Sequence, residues 1–342
     1  MMRPGIIYFK YLYYLFYYGS PRKIFNFIIN KIEKKLRKSY LNSMPIYAII
    51  GPCDICNLNC PGCPTGTKRS DLIGSKILSF EQFKYIFDQV KKYIFNITLF
   101  TFGEPFLNKE IFLMVEYASS NRCGTTTHSN FNIFDETMAE NAIKSKLTHI
   151  YLSIDGATQG IYEKYRKGGN LSAVFENIKI LVKKKKEMKS IFPLLTWKFL
   201  YFPHNVHEIK LARQKARKLG VDSFESFPGN LDNVESFGIS KFYNLDSGKI
   251  KITTTDFCNE IWNDFLVHPD GSVMPCCHGF REKDVFGNVY ETSLKEIWNN
   301  EDFINLRKMI GTRKIGEFVR YPCAECRIIN NLKNYNCNEE VR

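Results

Sequence analysis

Four cysteines lie close together near the amino terminus of this chain, at Cys53, Cys56, Cys60 and Cys63. Spacings of this kind are typical of iron–sulfur sites, because several thiolates on one short loop can bind several irons of one cluster. Three thiolates, from Cys56, Cys60 and Cys63, would leave the fourth iron of a cubane open, and an open metal position allows a site to bind and activate a substrate. The alternative is a structural zinc site in which Cys53 is the fourth ligand.

A second group of cysteines lies towards the carboxyl terminus. It consists of four residues from two segments: Cys258, Cys276, Cys323 and Cys326. Four thiolates saturate either a cubane cluster or a zinc ion, so the group predicts a closed metal site, with a zinc ribbon as the alternative. Cys277 and Cys337 are then not needed as ligands, and we expect both to be buried residues. Because Cys277 lies next to a ligand, it could instead be a redox or hydrogen donor.

The cysteine count and the apolar runs indicate the compartment. Eleven is an odd number, which argues against a disulfide framework and for metal or redox chemistry. No apolar run reaches the ~18 residues of a membrane span, and we find no signal peptide. We therefore expect a cytoplasmic protein.

The positive charge is concentrated in one short segment. The chain has 48 Lys and Arg against 35 Asp and Glu, a net charge of +13. Residues 1–44 hold nine of the cations and one acid, Glu33, so +8 of the +13 lies there. The rest of the chain is only modestly basic, and we therefore expect no nucleic-acid partner.

The same segment carries an amphipathic helical pattern. Its apolar stripe consists of Ile24, Phe25, Ile28, Ile29, Ile32 and Leu36, and lysines and arginines between 31 and 38 form the polar side. A basic, aromatic helix of this type can lie on the inner, anionic face of a membrane. The alternative is that the stripe packs on the main domain and the cations are solvated.

The elements that must position the cysteines begin at residue 45. Strand-like and helix-like segments alternate from there to residue 229, which predicts a parallel sheet with helices outside, closed or partly closed as a barrel. The predicted strands are 46–50, 97–101, 125–129, 149–154, 195–202 and 223–227. The predicted helices are 80–93, 110–119, 136–144, 173–186 and 206–219, with capping boxes at Ser79–Gln82 and Asn205–Glu208. Such barrels have their chemistry at the carboxyl ends of the strands, where the first cysteine group falls.

The alternation stops after Asn230. A β-hairpin is predicted over 265–275 with its turn at Asp270-Gly271, followed by short helices at 294–299 and 303–309. We expect three parts: an extension of residues 1–44, an α/β barrel domain of residues 45–240, and a small α+β domain of residues 241–342.

These motifs together resemble the radical S-adenosylmethionine (radical SAM) superfamily. Cys-x3-Cys-x2-Cys after the first strand is its cluster motif, and Gly103-Glu104-Pro105 after the second strand is similar to its Gly-Gly-Glu motif, with Phe102 in place of the first glycine. The resemblance implies a partial (β/α)6 barrel. It also implies that Gly103 and Glu104 contact the amino group of S-adenosylmethionine (SAM).

Other cofactor contacts are implied at the ends of later strands. They are Ser129 and Asn130 after the third strand, Ser153 and Asp155 after the fourth, and Arg166, whose guanidinium would pair with the SAM carboxylate. Gly62 stands where the family often has an aromatic residue near the adenine, so that contact must come from elsewhere. For Arg166, a surface salt bridge is the alternative.

The second cysteine group resembles the SPASM and twitch auxiliary domains of the same superfamily. Leu332 stands where the full SPASM pattern has its next cysteine, so the one-cluster twitch form fits better. The resemblance implies SAM and two 4Fe–4S clusters, one that binds SAM and one auxiliary. It implies electron transfer from a flavodoxin or ferredoxin, and reductive cleavage of SAM to a 5′-deoxyadenosyl radical that abstracts a substrate hydrogen.

We expect a net oxidation, because a fully ligated auxiliary cluster can accept an electron. The resemblance favours dehydrogenation of a secondary alcohol in a sugar-like or cyclitol-like substrate, which could be lipid-linked. An epimerase, with Cys277 or Cys123 returning hydrogen, and a peptide-modifying enzyme are alternatives. A zinc-stabilised module that binds nucleic acid or membrane is the alternative outside the class. Candidate bases or substrate contacts at strand ends are Lys198, His204, His207, Glu225 and His128.

Overall fold

The computed structural model describes residues 13–14, 16–67, 76–229, 258, 260–276 and 282–312. Nine strands in this part form one sheet. They are β1 (Tyr47–Ile50), β2 (Asn96–Thr98), β3 (Gly124–Ser129), β4 (His149–Ser153), β5 (Leu194–Tyr201), β6 (Ser223–Pro228), β7 (Leu266–Val267), β8 (Ser272–Met274) and β9 (Gly287–Asn288).

Helices alternate with the first six strands and then cluster at the end of the described chain. They are α1 (Pro21–Lys35), α2 (Pro64–Thr67), α3 (Phe80–Asp88), α4 (Ile111–Ser120), α5 (Glu136–Lys144), α6 (Gln159–Tyr165), α7 (Leu171–Glu187), α8 (Ile209–Leu219), α9 (Glu260–Asn263), α10 (Leu294–Ile297) and α11 (Glu301–Thr312). Short 3-10 turns lie at Pro105–Leu107, Val206–Glu208 and Glu282–Asp284.

The strand order is β6-β5-β4-β3-β2-β1-β7-β8-β9, with β1 to β6 all parallel. The predicted α/β architecture with a parallel sheet is therefore confirmed. Within the described residues the six strands do not close, because the edge of β1 pairs with β7 rather than with β6. The predicted hairpin thus continues the sheet, and β8 runs antiparallel to β7 after a turn in which Gly271 has φ +87°.

Local sequence signals account for most boundaries. Ser79 and Gln82 form the predicted capping box at the start of α3. Asn205, in contrast, makes no cap to the helix that follows it, so the second predicted box is wrong. Its side chain is used elsewhere, as described below.

The two faces of the parallel sheet differ in polarity because side chains alternate along each strand. The outer face packs on the helices; Trp197 of β5, for example, contacts Phe175 of α7 with ring centroids 5.8 Å apart. The inner face is polar. It carries Thr126 and His128 of β3, His149 and Tyr151 of β4, Thr196 and Lys198 of β5, and Ser223 and Glu225 of β6.

Residues of the 1–44 extension pack across the amino edge of the sheet. The Tyr14 hydroxyl is hydrogen-bonded to the side-chain amide of Asn96 at 2.9 Å, and the Tyr18 hydroxyl to Thr148 Oγ1 at 3.2 Å. The helix α1 follows them, and its buried residues are polar rather than apolar. The alternative in which the apolar stripe packs on the main domain is therefore wrong. Within the described residues, no helix is long and apolar enough to cross a membrane.

Candidate active site

The first cysteine group lies on the loop between β1 and α2, at the carboxyl edge of the sheet. Thr65 Oγ1, in the helix α2 that follows the loop, donates to Phe102 O in the segment after β2 at 2.7 Å. Asn59 N ties the loop to the segment after α6 by donating to Lys167 O at 3.0 Å. These bonds hold the loop between the ends of different strands, where a barrel places its chemistry.

Gly103 allows the segment after β2 to approach this loop closely. A Cβ at Gly103 would contact the Cys53 carbonyl oxygen and lie 2.7 Å from the Ile55 carbonyl oxygen. Only glycine fits such an approach of two backbones. Glu104 N then donates to Ile55 O at 2.7 Å, which fixes the Gly-Glu pair against the cysteine loop.

The sulfur atoms of the loop lie among hydrogen-bond donors. Leu58 N donates to Cys56 Sγ at 3.4 Å, and Asn130 Nδ2 approaches the same sulfur at 3.7 Å. Arg166 Nη1 approaches Cys60 Sγ at 3.9 Å. Burial raises the pKa of the Cys56 thiol to about 11, so its thiolate needs a positive partner such as iron. These donors and this guanidinium stabilise negative sulfur, and the residues fit an iron–sulfur cluster.

The Cys53 thiol is hydrogen-bonded to backbone carbonyl groups. Its Sγ donates to Glu104 O at 3.1 Å and also approaches Ile55 O at 3.8 Å. A zinc site would require the four thiolates to converge on one ion at about 2.3 Å. The geometry therefore disfavours the zinc site with Cys53 as fourth ligand.

Glu104 is the centre of a buried hydrogen-bond network. Its carboxylate accepts from Ser129 Oγ at 2.7 Å, from Asn130 N at 2.8 Å and from Phe106 N at 3.3 Å. Asn130 in turn donates through Nδ2 to Asn57 Oδ1 of the cysteine loop at 2.8 Å. Burial raises the pKa of Glu104 to about 7, against the opposing effect of these donors. The structure thus brings together Gly103, Glu104, Ser129 and Asn130, and their role as cofactor contacts stays a prediction.

Asp155 and Arg166 form a buried ion pair beside the same loop. Arg166 Nε donates to Asp155 Oδ2 at 2.6 Å, and Leu200 N donates to Asp155 Oδ1 at 2.6 Å. The Asp155 side chain is completely buried and that of Arg166 is 14% exposed. The surface salt bridge considered for Arg166 is therefore wrong. The pair fixes the guanidinium next to Cys60.

Asn205 and Glu208, the residues of the second predicted capping box, are hydrogen-bonded to the loop after β4 that carries Asp155. Asn205 Nδ2 donates to Asp155 O at 2.8 Å. The Glu208 carboxylate accepts from Ala157 N and from Thr158 Oγ1, both at 2.6 Å. Both residues are buried, so their side chains satisfy the backbone of the loop after β4 instead of the start of α8. Sequence spacing alone could not distinguish these two uses.

An aromatic residue does approach Gly62, from a distant part of the sequence. A Cβ at Gly62 would lie 3.0 Å from Tyr165 Oη, so the ring occupies the space beside this glycine. Tyr165 also packs on Phe202, with centroids 4.6 Å apart, and forms a small apolar cluster with Leu58 and Cys60. Sequence analysis missed Tyr165 as a site residue. Its position one residue before Arg166 was the available signal.

The other candidate residues lie in different places. Ser153 faces Lys198 in the β4–β5 register, and Lys198 faces Glu225 in the β5–β6 register, all on the inner face. His204 lies beyond the end of β5 and stacks on Phe202. Cys123 is buried just before β3, at the amino edge of the sheet and thus at the opposite end from Glu104.

The structure describes half of the second cysteine group. Cys258 precedes α9 and Cys276 follows β8, and both are half-buried. Because β8 runs antiparallel to the barrel strands, Cys276 lies towards the amino edge of the sheet, opposite the first group. Cys323, Cys326, Cys277 and Cys337 lie outside the described residues.

Comparison with protein families identifies two domains. Residues 50–196 match the model of the radical SAM superfamily. Residues 258–327 match the model of SPASM, an iron–sulfur cluster-binding domain. The chain belongs to the radical SAM superfamily. It is a radical SAM enzyme with a SPASM domain, and the family implies SAM, a 4Fe–4S cluster and auxiliary iron–sulfur as its cofactors. Enzymes of this class act on small molecules or peptides.

Individual relatives are distant or match only in part. The S-adenosyl-L-methionine-dependent 2-deoxy-scyllo-inosamine dehydrogenase of Niallia circulans is 42% identical over 40 residues, which cover 12% of this chain and only 16% of that enzyme. The GTP 3′,8-cyclase of Clostridium botulinum is 26% identical over 271 residues, covering 70% of this chain and 83% of the cyclase. The crystal structure of BtrN in complex with AdoMet and 2-DOIA superposes with a TM-score of 0.52 at 17% identity, covering 81% of this chain and 91% of BtrN. This last likeness is one of fold.

Proposed function

We propose that this enzyme oxidises a secondary alcohol of a sugar-like or cyclitol-like substrate to a ketone. The observation that carries the proposal is the polar inner face of the sheet. His149 Nε2 is hydrogen-bonded to Thr196 Oγ1 at 2.7 Å, and Thr196 Oγ1 to Ser223 Oγ at 2.5 Å. Convergent hydroxyl and imidazole groups of this kind suit a polyhydroxylated ligand.

Aromatic and imidazole rings also line the inner face of the sheet. His128 stacks between Phe100 and Tyr151, with centroid distances of 4.9 and 4.6 Å. Tyr151 in turn contacts His149 at 4.2 Å. The partial match to a dehydrogenase that acts on 2-deoxy-scyllo-inosamine supports the same substrate class.

The cofactor contacts are the second part of the proposal. Cys56, Cys60 and Cys63 would hold the SAM-binding cluster, and Glu104 would bind the SAM ammonium group. Ser129 and Asn130 would orient Glu104, since both donate to its carboxylate. Ser153, Asp155 and Arg166 would form the opposite wall, and Arg166 would meet the SAM carboxylate.

We expect SAM binding to weaken below pH 7. The pKa of Glu104 is raised to about 7, so the group becomes neutral as the pH falls through that value and loses its attraction for an ammonium ion. Below pH 7 the affinity should fall by up to about tenfold per pH unit. Equilibrium titration of the cluster-loaded enzyme with SAM between pH 6 and pH 8 measures this change.

The Glu104→Gln variant is the control for that titration, because it keeps the shape and removes the ionisation. It should bind SAM weakly at every pH. A wild-type affinity that is independent of pH across this range would contradict the assignment of Glu104.

The oxidation removes a hydrogen atom, a proton and an electron from the substrate. SAM and the reduced cluster supply hydrogen-atom abstraction when they are bound. We propose that Lys198, Glu225 or His128, all on the inner face, takes the hydroxyl proton. We propose that the electron leaves through an auxiliary cluster at Cys258, Cys276, Cys323 and Cys326, all of which fall within the SPASM match. A flavodoxin or ferredoxin would reduce the first cluster in the cytoplasm.

Turnover in deuterium oxide tests the reaction type. Dehydrogenation should give a product lighter than the substrate by two hydrogens, with no deuterium on carbon, and one 5′-deoxyadenosine per product. An epimerase would instead return a solvent-derived hydrogen through a thiol. A product about one mass unit heavier than the substrate, with one carbon-bound deuterium in place of hydrogen, would contradict dehydrogenation, and Cys277 and Cys123 would then be the residues to replace.

A further inference from the structure

The helix α1 packs on the rest of the protein through its polar side. Lys23 Nζ donates to Arg122 O at 2.5 Å, just before β3. Asn26 pairs with the Met44 backbone through both amide atoms, at 2.8 and 2.9 Å. These contacts hold α1 across the amino edge of the sheet.

Two further side chains of α1 complete the attachment. Asn30 Nδ2 donates to the carbonyl oxygen of Trp262. The Glu33 carboxylate accepts from Ser43 Oγ at 2.7 Å, from Asn42 N at 2.8 Å and from Ser43 N at 3.0 Å. Directional hydrogen bonds to buried partners fix both the position and the rotation of a helix.

The apolar stripe of α1 consequently faces outwards. Phe25 is 64% exposed, Ile28 50% and Ile32 52%, with Ile24 and Leu36 also exposed on the same side. A helix on the surface of a globular protein normally buries its apolar stripe and exposes its polar one. Phe16, Tyr17 and Tyr40 are further exposed aromatic residues of the 1–44 extension. An exposed row of apolar side chains along one helix marks an interaction site.

The charge around this stripe is of one sign. Lys31, Lys34 and Lys35 lie in the last turns of α1, and Lys38 follows the helix. The one acidic residue of positions 1–44, Glu33, is on the buried side and 2% exposed, so it does not neutralise them. Burial beside Phe27 lowers the pKa of Lys31 to about 8, and contact with anionic groups would favour its charged form.

We propose that the exposed face of α1, made of Ile24, Phe25, Ile28, Ile32 and Leu36 with Lys31, Lys34 and Lys35, docks in the plane of an anionic lipid bilayer. Apolar side chains would enter the interface between headgroups and acyl chains, and the lysines would meet the anionic headgroups. A second protein with only an apolar groove would leave the lysines unmatched. The contacts of α1 with the amino edge would hold the carboxyl edge, with the cysteine loop, away from the bilayer.

Co-sedimentation of the full-length protein with vesicles tests the proposal. We expect binding at low salt to vesicles of phosphatidylcholine mixed with phosphatidylglycerol, weaker binding at high salt, and little binding to phosphatidylcholine alone. Phe25→Ser with Ile28→Ser should lower the partition constant by roughly tenfold or more. The matched control, Leu113→Ser with Ile191→Ser, removes two exposed apolar side chains elsewhere and should change nothing.

A charge-reversal pair tests the electrostatic part. Lys34→Glu with Lys35→Glu should lower the partition constant on the order of a hundredfold at low salt. Lys183→Glu with Lys186→Glu makes the same change of net charge on the exposed end of α7 and should leave binding nearly intact. Equal losses from both pairs would show attraction by net charge alone and would overturn the proposal.

A fluorescent variant tests whether another protein surface, rather than lipid, covers the exposed face of α1. The three native tryptophans are buried, so Phe25→Trp adds a distinguishable exposed fluorophore. We expect quenching by acrylamide in buffer, and protection with a blue shift on vesicles. Protection already in buffer would show that another segment of this chain or a second copy covers the face. That result, or a dimer that Phe25→Ser with Ile28→Ser dissociates, would overturn the proposal.

Discussion

Replacement of Cys56, Cys60 and Cys63 by alanine together is expected to reduce formation of 5′-deoxyadenosine to background. These residues are the proposed ligands of the cluster that binds SAM, and without it no electron reaches the sulfonium. Bound iron should fall from about eight to about four atoms per chain, because an auxiliary cluster would remain. Iron analysis and anaerobic assays of SAM cleavage measure both effects.

Cys53→Ala is the matched control for that variant. The Cys53 thiol donates to Glu104 O and is not a proposed ligand, so the variant should keep its iron and cleave SAM. Loss of all metal from Cys53→Ala, or 5′-deoxyadenosine made by the triple variant, would contradict the ligand assignment.

Sequence alone could predict the parts of the site that depend on local chain geometry. The cysteine loop, the Gly-Glu pair and the residues after β3 and β4 each lie within a few residues of a strand end. Strands of β-branched and aromatic residues are readily recognised. Parallel pairing then brings their carboxyl ends to one edge. The clustering of Glu104, Ser129 and Asn130 therefore followed from the predicted topology.

Contacts between distant segments could not be predicted in the same way. Asn205 and Glu208 have the spacing of a capping box, yet the buried backbone after β4 uses both side chains. Tyr165 fills the space at Gly62 only because α6 returns across the cysteine loop. In both cases the contact depends on another element of the fold. Buried backbone groups of that element need hydrogen-bond partners, or its glycine leaves a space that a ring can fill.

The orientation of α1 on the protein could not be predicted from the sequence either. An amphipathic pattern predicts a helix with two faces, and it does not determine which face contacts the protein. Here the amino edge of the sheet offers backbone carbonyl groups from Met44, Arg122 and Trp262, which need polar partners. Polar side chains of α1 provide them, and the apolar stripe is left outside.

Asp155→Asn is expected to destabilise the folded enzyme strongly. The substitution preserves an acceptor for Leu200 N but leaves the guanidinium of Arg166 in a buried site without its counter-ion. Removal of one partner of a buried pair costs about 3–5 kcal/mol, against about 0–1 kcal/mol for a surface pair. The melting temperature should fall by roughly 4–7 °C in a chain of this size. Thermal unfolding of the anaerobic, cluster-loaded protein measures the change.

Two further variants make this prediction specific. Glu176→Gln breaks the exposed Glu176–Lys179 pair, which has the similar length of 2.7 Å, and should change the melting temperature by under about 2 °C. Asp155→Asn combined with Arg166→Met removes both charges and should recover most of the stability, because no buried charge is left alone. The double variant should nevertheless fail to cleave SAM, since the guanidinium proposed to bind the SAM carboxylate is gone. If Asp155→Asn has a melting temperature close to that of Glu176→Gln, the ion pair is not a buried, stabilising one. Normal SAM cleavage by the double variant would contradict the proposed role of Arg166 in cofactor binding.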